Sequence, residues 1–212
     1  MTKGNIVFLL INFALPLLAG NIFQQMYNTV DSFVVGNFVG KEALAAIGAT
    51  TMLINTLVGF FTGFSTGGSI LISQYFGSGN KDAVSKVSHT MILSTVIIGV
   101  VFSFAGIFLN RIMLRAINTP LDVIDQAADY LHIYFEGLVF LMLYNMASGI
   151  LRAVGDSKRP LYFLIISSVL NVVLDLVFVI VLKQGIKGVA YATLISQAIS
   201  SALVLILLFR TK

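Results

Sequence analysis

Three carboxylates stand inside long apolar stretches of this 212-residue chain: Asp31, Glu136 and Asp175. A charged side chain at the middle of a bilayer costs about 2.5 to 3.5 kcal/mol even on insertion scales, so acids in such stretches face a protein interior or a wet cavity. Asp31 closes the series Asn21, Gln24, Asn28, Asp31, whose three- and four-residue steps put all four side chains on one helical face. Ser168, Asn171 and Asp175 repeat that spacing further along the chain. Two more stretches carry Tyr144, Asn145 and Ser148, and Thr193, Ser196, Gln197 and Ser200. If Asp31 and Asp175 share a shielded hollow, desolvation and mutual repulsion both oppose charging the two at once, and either a proton or Na⁺ relieves the conflict. The chemistry implied is competition of two small cations for one site.

Other polar residues have simpler readings. Glu136 lies about two turns into its stretch and can snorkel to the surface. His89 and His132 stand near stretch ends without partners at metal-ligand spacing, and the methionines read as core filling. With no cysteine there is neither a disulfide framework nor a thiolate metal site. Asp31 has a structural alternative, contact with headgroup water, if its helix ends early. Asp175, between Val172, Val173, Leu174, Leu176 and Val177, does not.

The elements that must position these residues follow from composition. The chain is 58% hydrophobic and 10% charged, against roughly 25% charged in soluble domains, so a water-soluble globule is excluded. Six apolar stretches, each near or above the roughly 20 residues that cross hydrocarbon, predict an all-α integral membrane bundle. The predicted spans are residues 6–39, 43–75, 87–109, 130–154, 161–182 and 188–209, forming a single unit. The first is too long for a secretory signal and offers no small-x-small cleavage pattern before Asn21, so it is read as a retained helix. Pro16 and Gly20 predict a bend in it. In the second, Gly59, Gly63 and Gly67 recur every four residues and predict a close-packing seam. Asn80 is expected to cap the third helix after the turn Gly77, Ser78, Gly79. Residues 110–129, with Arg111, Arg115, Asp122, Asp125 and Asp129, are expected to lie along the membrane surface as an amphipathic connection.

Orientation follows from the basic residues. An inward amino terminus puts Lys3, Lys81, Lys86, Arg152, Lys158, Arg159, Arg210 and Lys212 on the cytoplasmic side, against Lys41, Arg111, Arg115, Lys183 and Lys187 opposite, which favours that orientation in the cell membrane. Counting at about 1.5 Å per residue, Asp31 and Asp175 then lie about 12 and 10 Å below the outer boundary. The absence of a basic run argues against a nucleic-acid partner.

Several segments together resemble the MATE (multidrug and toxic compound extrusion) transporter family, in its amino-terminal lobe, and are similar to the prokaryotic DNA-damage-inducible F type. They are YNTVDSFVVGNFVG from Tyr27, SQYFGSG from Ser73, GILRAVGDSKRP from Gly149, LNVVLD from Leu170 and GIKGVAYATLISQ from Gly185. The resemblance implies export of organic cations or amphipathic drugs driven by inward H⁺ or Na⁺, with no cofactor besides the coupling ion. It implies a coupling-cation site at Asp31, Asn171, Asp175 and Thr193, with Na⁺ as the possible metal. It also implies a cavity lined by Gln24 and Asn145, to which the polar series adds Asn28, Tyr144, Ser148 and Gln197, and a hinge in helix 1 at Pro16 and Gly20. Gly137, Leu138, Val139 and Phe140 depart from the family's Gly-Leu-Pro-Phe run. Members have twelve helices in two lobes, so the resemblance implies a carboxy-terminal six-helix lobe as partner; alternating access requires two bodies that move against each other.

Three other readings compete. A lipid-linked oligosaccharide flippase of the same superfamily would need cations lining its cavity to hold a pyrophosphate. A non-transporting fragment would need no cavity chemistry. An intramembrane aspartyl hydrolase would also need two buried acids, but the chain has no Ser-His pairing, water-activating metal set or soluble domain, so an enzyme is not expected.

Overall fold

The computed structural model of the protein describes residues 6–210. Six helices follow one another: α1 (Ile6–Phe38), α2 (Lys41–Gly77), α3 (Lys81–Ala116), α4 (Ile124–Ala153), α5 (Lys158–Asp175) and α6 (Gly185–Arg210). A π-helical stretch, Leu176–Val181, continues α5. All six spans are long and apolar enough to cross a membrane. Lys3 and Lys212, used above in counting charges, lie outside the described residues.

Three of the turns close in the same way. After α2, the Asn80 N–H reaches the Tyr75 carbonyl (3.0 Å) and the Gly79 N–H reaches Phe76 (3.1 Å), the double bond of a Schellman end. This geometry needs a left-handed residue, supplied by Gly79 at φ 75°. Asn118 (φ 56°) and Gly155 (φ 95°) serve identically after α3 and α4. Asn80 then starts α3: its side-chain oxygen accepts from the Ala83 N–H at 3.0 Å. Asn80→Ala is expected to cost about 1 kcal/mol, read as a lower thermal midpoint of the detergent-solubilised protein.

α4 is the central helix, packed against α2, α3 and α6. Its Leu131, Phe135, Leu138 and Met142 meet Val34 and Val35 of α1, Phe61 of α2, Leu114 of α3 and Val189 of α6. Lipid removes the hydrophobic drive between helices, so close fit and hydroxyl bonds hold the bundle. Gly106 of α3 lies flat against the Phe135 ring, and Gly149 of α4 against Ser65 and Ser69 of α2. The Ser65 hydroxyl donates to the Asn145 carbonyl (3.1 Å) and that of Ser167 to the Ser196 carbonyl (3.0 Å), joining α2 to α4 and α5 to α6.

Two expectations are corrected. Residues 110–129 are not a surface connection. Asn110 to Ala116 finish α3, and α4 begins at Ile124, with Ile124, Ala127 and Ala128 in the core. The amphipathic pattern arises because these turns bury one side in the bundle and expose the other, where Arg111 meets Asp125 (2.9 Å) and Lys187 meets Asp129 (3.1 Å). The seam expected at Gly59, Gly63 and Gly67 is also absent from this bundle: no described atom comes within 4 Å of where a side chain would start. The close contacts on α2 lie one position further round, at Gly68 against Met91.

Candidate cation site and its two cavities

Helix alternation gives the bundle two ends. The end where α1 begins also holds the ends of α2, α4 and α6; it is called proximal here, and the other distal. A cavity opens near each. The distal one, about 390 Å³, is walled by α1, α2, α4 and α6, and the proximal one, about 630 Å³, by those helices and α5.

Asp31 and Asp175 are brought together between α1 and α5. The two carboxyls are direct neighbours, close enough to share a hydrogen bond when one is protonated. Asp31 is 9% exposed and lines the distal cavity. Asp175 is 0% exposed and lines neither cavity, so it lies behind Asp31. One turn back along α5, the Asn171 amide donates to the Thr193 hydroxyl of α6 at 3.4 Å. Thr193 faces the distal cavity while Asn171 is enclosed.

This cluster is rich in oxygens that receive nothing from the protein. Asp31 Oδ1, Asn171 Oδ1 and both carboxyl oxygens of Asp175 are buried without a hydrogen-bond partner. Buried polar atoms are almost always paired, and unpaired ones are costly. Four buried acceptors without donors suit a species that supplies only positive charge, a proton or a hard cation that prefers oxygen ligands. Among the described residues no group of three or more His, Cys, Asp and Glu exists, so a transition-metal site is not formed. Asp175 also ends α5, and the Leu176–Val181 stretch that follows is π-helical. Such stretches widen a helix locally and recur beside functional sites. Nothing in the composition of LVFVIV signals it.

The remaining candidates divide between the cavities. Asn28 lines the distal one, Asn145 and Tyr144 the proximal one, and Gln24 and Gln197 line both. Leu141 also faces both, so Gln24, Leu141 and Gln197 form the partition between them. The Tyr144 hydroxyl donates to the Pro160 carbonyl at 3.0 Å. Ser148 is buried in α4 and lines neither cavity. Pro16 and Gly20 line the proximal cavity, and α1 runs unbroken across Pro16. Glu136 is half-exposed on α4, 3.5 Å from His132, away from both cavities. Sequence reasoning missed the aromatic wall of the distal cavity, made by Tyr27, Tyr130 and Tyr134. Tyr130 and Tyr134 stack with ring centres 6.5 Å apart. Tyr27 stands four residues before Asp31 on the same face, a signal that was present in the spacing.

Comparison with known proteins places this arrangement. The MatE family model matches residues 16–177. The chain is 35% identical over 199 residues to YpnP of Bacillus subtilis, a probable multidrug resistance protein, covering 94% of this chain and 45% of that one. It is 37% identical over 204 residues to YoeA of the same organism, also a probable multidrug resistance protein, covering 94% and 44%. A solved MATE structure in the bent conformation superposes with a TM-score of 0.92 at 26% identity, covering 99% of this chain and 47% of the other. The chain therefore spans a little under half the length of the relatives it matches. With six helices arranged as one half of those structures, it is a multi-pass membrane protein that belongs to the MatE family.

Proposed function

We propose that this chain is the ion-coupling half of an antiporter that exports organic cations or amphipathic drugs against an inward flow of H⁺ or Na⁺. The observation that carries the reading is the facing pair Asp31 and Asp175, of which Asp31 Oδ1 and both oxygens of Asp175, with Asn171 Oδ1, are buried and take no donor from the protein. A proton and Na⁺ satisfy the same oxygens and so exclude one another, which links occupancy to the gradient across the membrane. The distal cavity adds a fit for organic cations: Asp31 supplies charge, Tyr27, Tyr130 and Tyr134 supply aromatic rings, and among the described residues no Lys or Arg lines it. Drug export is what the names of YpnP and YoeA say of those proteins, and it comes to this chain by kinship. A carboxy-terminal six-helix lobe would be the second moving body, with the amino terminus cytoplasmic and the protein in the cell membrane.

The test is a Na⁺ titration of the purified protein, followed by its thermal midpoint and by ²³Na relaxation, at neutral and acidic pH. Na⁺ is expected to raise the midpoint at neutral pH and to do so less as the pH falls, because protons take the same oxygens. A midpoint and relaxation rate indifferent to both Na⁺ and pH would sink the coupling role.

A further inference from the structure

Arg152 stands apart from the other basic residues. Every other described Lys and Arg is exposed, whereas Arg152 is half-buried in the last turn of α4. Arg111, Arg159 and Lys187 each have a carboxylate within ion-pairing distance at the surface. Among the described residues Arg152 has none, and its guanidinium donates to no protein acceptor. The carbonyls of its own helix end do not account for it, since those of Ile150, Leu151 and Arg152 are taken by the N–H groups of Val154, Asp156 and Gly155. Its side chain lines the 630 Å³ proximal cavity instead.

Among the described residues the rest of that cavity wall holds no acid. It presents hydroxyls and amides, among them Asn21, Ser69 and Ser73, beside apolar Leu17, Ile70 and Leu164. Asp156, the nearest acid in sequence, faces Arg159 and lines a different pocket. A cation withdrawn from bulk water without a counter-charge is unfavourable unless an anion completes it. The guanidinium fork matches carboxylate and phosphate oxygens two at a time. The two cavities thus have opposite polarity, the distal one acidic and the proximal one basic.

We propose that the proximal cavity binds the anionic group, carboxylate or phosphate, of an amphipathic molecule, with the Arg152 guanidinium as its charge partner and the apolar wall holding the remainder. The molecule is either a dissolved amphipath or an anionic phospholipid whose headgroup enters the cavity; the recognition chemistry is the same. The inference is independent of the coupling reading, which concerns Asp31 and Asp175.

The test uses the purified protein in a neutral detergent and two probes: fluorescein, followed by anisotropy, and phosphatidylglycerol against phosphatidylcholine, followed by native mass spectrometry. At least one anionic probe is expected to bind the unsubstituted protein. Arg152→Gln is expected to weaken that probe by about tenfold or more, while Arg152→Lys, which keeps the charge but loses the fork, falls between Arg152→Gln and the unsubstituted protein. Loss confined to fluorescein identifies the dissolved amphipath, and loss confined to phosphatidylglycerol identifies the headgroup. As a readout that needs no substitution, inorganic pyrophosphate is expected to displace the bound probe. Failure of both probes to bind, equal binding by a well-folded Arg152→Gln protein, or no displacement by pyrophosphate overturns the proposal.

Discussion

Asp175→Asn is expected to abolish export of an ethidium-like dye from cells in which this chain is produced together with a complementary six-helix half. The substitution preserves volume but removes the negative charge that a proton or Na⁺ must meet. Asp175 is fully enclosed, so water cannot substitute for the lost charge. Removing one charged ligand should weaken Na⁺ binding by about 2 kcal/mol or more, roughly thirtyfold. Asp31→Asn is expected to give the same null export, with an added loss of organic-cation binding because Asp31 alone of the pair faces the distal cavity. Dye export by either variant at the unsubstituted rate would remove the pair from the coupling mechanism. Export lost with Na⁺ affinity intact would assign the pair to packing.

The second large effect is structural. Gly106→Ala is expected to destabilise the bundle by about 2 kcal/mol or more, because the new methyl would enter the Phe135 ring. Phe135 is almost wholly enclosed in the core around α4, so the ring has nowhere to turn. Gly63→Ala provides the contrast: no described atom beyond its own turns of helix lies within 4 Å of the added atom, and the helix gains propensity. Thermal midpoints of the two variants in one detergent decide the matter. Equal midpoints would show that α3 and α4 can part at little cost.

Much of the candidate site's geometry was legible because the sequence carries depth. Asp31 and Asp175 fall at matching heights on helices running in the same direction, and their flanking polar residues select the inward face of each. The tyrosine wall was hidden for a geometric reason. Once residues 110–129 are assigned to the membrane surface, Tyr130 becomes a helix terminus and Tyr134 a residue of the first turns. In fact α4 starts six positions earlier, which places both rings beside Asp31. Charge misled as well: Asp122 and Asp125 are exposed, but the apolar residues between and beyond them turn into the bundle and not towards lipid. The helix 2 glycines show the limit of motif reading, since four-residue spacing permits close approach without saying which neighbour, if any, takes it. The role of Arg152 was equally hidden, because a cation near a helix end reads as a loop charge until the side chain's direction is known.

The serial order of the two acids has a consequence for leakage. Among the described residues Asp175 and Asn171 line neither cavity, and their neighbours Asp31 and Thr193 both line the distal one. Under the proposed coupling role this makes the site a blind well in this conformation: an ion held there would enter and leave by one rim. A coupling ion in such a well could not short-circuit the membrane voltage, however mobile, until Gln24, Leu141 and Gln197, which line both cavities, were drawn aside.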